Sequence, residues 1–349
     1  MRRPILLLAL GTAIAAAPAL ADRMPLSGGD LAPGERYSTF VHAAGIQAEG
    51  HDIGLVRWIS DSNWSKLKAG KTDTKILSNW LVYRRPVYAM AAGTVVGCWR
   101  NAPENTPGSL HASYVANKFA GGGNHLWILQ DNGVYALYAH MRPGSIPASI
   151  CPNNAVLFAG TKMYAGNPDI DPSVKVTGGA HIGEGQKIGE IGNSGASAGG
   201  PHLHVHMEMG GNPVAMKFAH GMSTPFPNGV ASINGPWTLL KGKALPAATI
   251  LFWPPRPAGN YTFKGTEDEG FQGLFDHLSD SGMMPDLIWC ADNGQIYNST
   301  WVPVKGSWQS RFGMTAAEAT ERHAHFTGLG YKRTSSFTCG DFQAAVWRK

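Results

Sequence analysis

GGPHLHVHMEM, residues 199–209, carries histidines at 202, 204 and 206. In an extended strand, successive side chains alternate between faces, so residues two apart share one. The spacing sets His202, His204 and His206 on one face and turns Leu203 and Val205 the other way, into a core. Three imidazoles on one face are costly for ordinary packing. A zinc site accounts for them: zinc takes neutral imidazole nitrogens and carboxylate oxygens, and a catalytic ion keeps one position for water. The chain has 13 histidines, so an HxH pair alone says little. His323 and His325 repeat the spacing within a helical pattern, where residues two apart diverge around the axis, and read as solvated or packed.

Working outward, short β-like runs alternate with Gly, Pro and Asn turns: PVYAM (86–90), GTVVGCW (93–99), LWILQ (126–130) and VYALYAHM (134–141). Asp131-Asn132-Gly133, between the last two, is a hairpin signal. The glycine loop GNSGASAGG (192–200) lacks the Lys-Ser/Thr ending of a phosphate cradle and reads as a conformational device before Pro201. Gly supplies 44 of the 349 residues, and charged residues only 15%, against about 25% in an average soluble domain. A disordered chain, a coiled coil and a charge-rich bundle are excluded. The fold class expected is mostly β. Lys and Arg total 29 against 24 Asp and Glu, too small an excess to argue for nucleic acid; a pI near 9.0 suits an anionic surface only weakly.

Residues 1–21 read as a secretory signal peptide, with Arg2 and Arg3 before an apolar stretch and Ala19-Leu20-Ala21 as the cleavage site. No later segment is long and apolar enough to span a membrane. The expected location is periplasmic or extracellular. Four cysteines in an exported chain point to two disulfides. Of the three connectivities, Cys98–Cys151 with Cys290–Cys339 keeps each pair within one proposed domain.

Those domains are 22–252, a Pro-rich linker at 253–260 beginning Trp253-Pro254-Pro255, and 261–349. In the last, Asp268 to Ser281 and Thr315 to Leu329 read as amphipathic helices. Each is followed by Gly, a β-like run with Cys, and a Trp, so that Gly282, Cys290 and Trp301 match Gly330, Cys339 and Trp347. This is an internal repeat of a little under fifty residues, a small α+β module in two copies. Trp253, Trp301 and Trp347 read as core filler.

Taken in order, PVYAMAAGTVV, GNHLWI, LYAHMRPGSI, HIGEGQKIGEIGNSG and GGPHLHVHMEM resemble the core of lysostaphin-type zinc endopeptidases, secreted enzymes that cut peptide bonds in bacterial peptidoglycan. The resemblance covers roughly residues 38–212, interrupted at about 53–85. It implies an antiparallel β core with the site in a groove above one face. It also implies one zinc ion per chain, with His204 a ligand and His202 and His140 (from Tyr138-Ala139-His140) catalytic. The remaining ligands in the family are an upstream His and a following Asp, commonly four residues apart. Here the candidates are His42 and Asp52 in HAAGIQAEGHDIG (42–54), with His51 the rival; strand alternation keeps His51 and Asp52 from both binding. His206 stands where the family often has Glu and is expected behind the ligands. The C-terminal unit is similar to tandem repeats found beside catalytic domains in some secreted microbial hydrolases, its second copy (GMTAAEATERHAHFTGLGYKR, then FQAAVW) the more so.

The expected function is a zinc metalloendopeptidase acting through a zinc-activated water on peptidoglycan cross-links or other extended, Gly-rich peptides. His202 is the expected base, and His140 the group that steadies the oxyanion or protonates the leaving amine. The alternative is a catalytically inactive relative that binds cell wall or regulates another hydrolase.

Overall fold

A computed structural model describes residues 22–41, 45–116, 121–156, 174–197 and 199–349. Residues 1–21, read from the sequence as a leader, and His42 lie outside them. The alternating runs form a 12-stranded sheet whose pairings are all antiparallel. Its main strands are β1 (Glu35–Val41), β2 (His51–Ser60), β3 (Asn63–Ser65), β4 (Gly93–Trp99), β5 (Asn124–Gln130), β6 (Tyr135–Met141), β7 (Leu203–Met209), β8 (Met222–Pro225) and β9 (Ile250–Trp253). They lie in the order β8-β9-β1-β2-β7-β6-β5-β4, with β3 paired to β2 off this path. Asp131-Asn132-Gly133 joins β5 to β6, with Gly133 at φ +85°.

Register fixes the two faces. Leu203 sits opposite Ile53 and Val205 opposite Tyr138; these side chains, with Leu55, Leu126 and Ile128, enter the main core. The other face carries a smaller cluster that includes Trp127, Leu137 and Ala139, and the histidines stand beside it. β2 runs on to Ser60, so residues 53–60 belong to the sheet and the intervening segment begins beyond them.

The C-terminal residues form two strand–helix–strand–strand units. The first is β10 (Tyr261–Glu267), α1 (Asp268–Asp280), β11 (Met283–Ala291) and β12 (Ile296–Pro303). The second is β13 (Trp308–Met314), α2 (Ala316–Gly328), β14 (Lys332–Cys339) and β15 (Phe342–Arg348). Each makes a three-stranded sheet with its last strand in the middle. Disulfides join Cys98 to Cys151 and Cys290 to Cys339, the second linking the equivalent strands β11 and β14. Trp253, Trp301 and Trp347 are all buried.

Trp253 ends β9 rather than opening a free connection, and Pro254 and Arg256 after it are buried. The main core continues through Phe252 and Trp253 into Phe271, Leu274 and Leu278 of the first unit. At this joint the Arg36 guanidinium lies 3.1 Å above the Trp253 ring. The His277 imidazole stacks on the same indole at 4.0 Å and 7°.

Candidate active site

Three adjacent strands converge on one point. Asp52 on β2 is the register partner of His204 on β7, and His204 is also opposite Ala139 on β6. Cross-strand partners share a face, so Asp52 and His204 meet: the Oδ1 of Asp52 is 2.9 Å from the Nδ1 of His204. His202, just before β7, brings its Nε2 to 3.6 Å from the same oxygen.

His140 reaches this face by a different route. Since Ala139 is opposite His204, regular alternation would turn His140 away. Between the pairs Asn124–Met141 and Leu126–Tyr138 the register shifts by one residue, and His140 takes φ +63°. A bulge with a left-handed residue re-aims a side chain in this way, and His is among the residues that tolerate the conformation. Its ring centre lies 4.7 Å from that of His202 and 6.0 Å from that of His204.

The glycine loop holds both outer rings. The Nδ1 of His140 is 2.8 Å from the Ser194 carbonyl oxygen, and the Nδ1 of His202 is 2.9 Å from that of Gly200. A carbonyl only accepts, so both Nδ1 atoms donate and both Nε2 atoms carry lone pairs in the neutral rings. Ser197 Oγ, which donates to Asn193 Oδ1 at 2.7 Å, lies 3.2 Å from the Nδ1 of His202. Two glycines make the loop possible: a Cβ on Gly123 would fall 2.4 Å from the Ser194 carbonyl carbon, and one on Gly195 2.4 Å from the Gly123 nitrogen. Burial, reinforced by His202 and His204, holds His140 well below the ordinary imidazole range. Both effects favour the neutral ring.

Behind His204, its Nε2 lies 2.8 Å from the Nδ1 of His206, and His206 in turn meets the Trp127 ring edge-on at 5.4 Å. His51 shares a face with its partner Val205 and lies 3.3 Å from the Thr39 hydroxyl, on the opposite side of the sheet from Asp52. His125 is buried against the Gly123 carbonyl, and His181 is exposed beside Asp131. His323 accepts from the Trp347 indole at 3.2 Å.

The donor set of Asp52 and His204 suits zinc, which takes carboxylate oxygen and imidazole nitrogen together. The outer bond from His206 is the kind that orients a metal-binding imidazole. Among the described residues, no group of three or more His, Cys, Asp or Glu is arranged to hold a metal ion.

Asp52, His140, His202 and His204 line a groove of about 610 Å³. It continues over Gly54, Val56 and Phe226, and Lys66, Trp80 and Val82 also line it. Lys66, Trp80 and Val82 come from the segment after β3, whose polar stretch 61–75 reads as an insertion or loop, so the interruption at about 53–85 supplies a wall of the groove.

No protein-family model matches the chain, and no curated protein gives a significant match. Solved structures similar to it are peptidases. The catalytic domain of the antimicrobial peptidase lysostaphin from Staphylococcus simulans is 18% identical, the match covering 50% of this chain and 77% of that one at a TM-score of 0.22. The catalytic domain of a prophage-encoded M23 protein from Enterococcus faecalis is 16% identical, over 57% and 90% of the two chains, at 0.23. A zinc-containing peptidase from Vibrio cholerae is 16% identical, over 48% of each chain, at 0.22. At such identities and TM-scores the likeness assigns no activity to this chain.

Proposed function

We propose that the chain is an exported zinc metalloendopeptidase that hydrolyses peptide bonds in peptidoglycan cross-links or in other extended, Gly-rich peptides. The observation that carries this reading is the pair His140 and His202. Their rings are 4.7 Å apart, each has its Nδ1 pinned by a backbone carbonyl, and both stand beside Asp52 and His204 in one groove. Packing alone does not call for two such histidines, one on the bulge of β6 and one just before β7.

His204 and Asp52 hold the ion in this account, with His42, proposed from the sequence, as the third ligand. Zinc bound there acidifies water and polarises a peptide carbonyl. His202, with its Nε2 lone pair toward Asp52, takes the proton from the attacking water. Two imidazolium rings so close would repel, so the His140–His202 pair carries one proton at a time. That proton is then delivered to the leaving amine from an Nε2 of the pair.

Export is supported by the signal-like leader and the two disulfides, and among the described residues no helix is long and apolar enough to cross a membrane. Incubation with purified peptidoglycan and with Gly-rich peptides, read by mass spectrometry, tests the activity. The expected outcome is cleavage that His202→Ala reduces by about 10²–10⁴-fold, the usual contribution of a general base. The ten-residue spacing of His42 and Asp52, against the four common in the family, favours a second reading, an inactive cell-wall binder. Co-sedimentation with peptidoglycan without cleavage would support it.

A further inference from the structure

Lys66 is the one lysine or arginine among the described residues that line the groove, and Asp52, already engaged with His204, is the one carboxylate. Lys66 is exposed at the groove wall, on backbone that is tied to the rest of its segment. Its carbonyl accepts from the Leu81 amide at 3.0 Å, Leu67 bridges to Trp80, and the Lys68 amide donates to the Asn79 carbonyl at 2.9 Å. Its ammonium lies 4.5 Å from the centre of the Trp80 ring, an attraction that orients the charge. Trp80 is itself fixed. Its indole N–H donates to the Thr74 carbonyl at 2.9 Å, and it packs so closely on Gly200 that a Cβ there would fall 2.5 Å from its ring.

Strand register gives the distance from the reacting centre. Ser65 pairs with Arg57 on β2, so Lys66 follows at the level of Val56. Val56 is four residues along β2 from Asp52, or about 13 Å at the usual strand rise. An extended peptide lying along the groove covers that distance in three to four residues.

We infer that Lys66 is a specificity residue that reads a carboxylate on an extended peptide substrate, three to four residues from the bond cut at the Asp52–His204 centre. This rests on the peptidase reading for the position of the cut, but the recognition itself is a binding property. A substrate anion there meets the one lysine or arginine among the described residues of the groove, on a stretch of wall it shares with Trp80 and Val82.

The test uses the full chain and a set of labelled Gly/Ala octapeptides carrying one Glu, or Gln in its place, at each position in turn. Binding is read by fluorescence anisotropy and cleavage by mass spectrometry in the same samples. The expected result is a preference for Glu over Gln of roughly fivefold in Kd at a restricted position, the size of one partly solvated ion pair. It should fade with added salt, fall to about one in Lys66→Gln and invert in Lys66→Glu. Where cleavage occurs, the preferred Glu lies three or four residues from the cut bond. A charge preference in binding without any cleavage keeps the role of Lys66 and sinks the peptidase. Cleavage with Glu and Gln treated alike, a preference that survives Lys66→Gln, or no binding of any peptide overturns the inference.

Discussion

The Nδ1 of His206 lies 2.8 Å from the Nε2 of His204, and the far nitrogen of His204 faces Asp52 at 2.9 Å. This bond can run in either direction. With a proton on the Nδ1 of His204, His206 donates; with that proton replaced by a metal ion, His204 donates and His206 accepts. A histidine at 206 therefore supports the ligand in both states, whereas an ionised carboxylate there could only accept.

Removing that support should weaken metal binding without abolishing it. His206→Ala is expected to lower zinc affinity by about 10–100-fold, the usual effect of losing an outer partner of a metal-binding histidine. His206→Gln, which can also donate or accept, should recover part of it. Competition with a chromophoric chelator reads the affinity, and circular dichroism confirms that each variant is folded. Unchanged affinity in His206→Ala would remove the orienting role.

Gly200 makes a second prediction. It has φ +129° and sits where a Cβ would strike the Trp80 ring, while its carbonyl holds His202. Gly200→Ala should cost about 1–3 kcal/mol of stability through backbone strain and overpacking. Gly199→Ala, with nothing within 4 Å of its new methyl, should cost much less. Urea unfolding of the two variants measures the difference, and equal losses would contradict the close approach of the wall to the loop.

Acid lability follows from buried histidines outside the site. Burial pulls His125 from 6.5 to about 4. Burial, with Arg36 and Arg256 nearby, holds His277 well below its ordinary value. In each case the unfolded chain binds more protons than the folded one between the two values, so stability rises with pH there. The contribution of His125 is present above pH 6.5 and lost as pH falls toward about 4; that of His277 is likewise lost on the acid side of 6.5. The limiting slope is about 1.4 kcal/mol per pH unit for each proton. Asp22, raised to about 6 by burial and Glu184, acts in the opposite sense, so the test is a difference. His277→Phe, which keeps a ring on Trp253, should flatten the acid side of a plot of urea midpoint against pH. An unchanged slope would show that His277 is not titrating on unfolding.

Much of this architecture was legible in local sequence. Alternation in HLHVH aligned His202, His204 and His206, the Asp-Asn-Gly turn marked the hairpin, and the separate placement of four cysteines indicated both disulfides. The same alternation separated His51 from Asp52. What stayed hidden depends on contacts distant in sequence. His140 faces the site only because a bulge opposite the 124–126 stretch turns it over, and no local pattern announces that bulge. The Lys66–Trp80 wall joins residues of an unpatterned segment to the groove through short bridges and one close approach to Gly200. The proline-rich stretch after Trp253 reads as a linker by composition, yet Trp253 is held between Arg36 and His277, a contact that brings together three separate parts of the chain.

The most direct test of the zinc centre is elemental analysis of the purified protein after dialysis against metal-free buffer, alongside His204→Ala. The account predicts about one zinc per chain in the parent, the stoichiometry of a single catalytic site, and its loss in the variant. A parent that takes up no zinc after reconstitution, or a His204→Ala variant that retains it, would contradict the account.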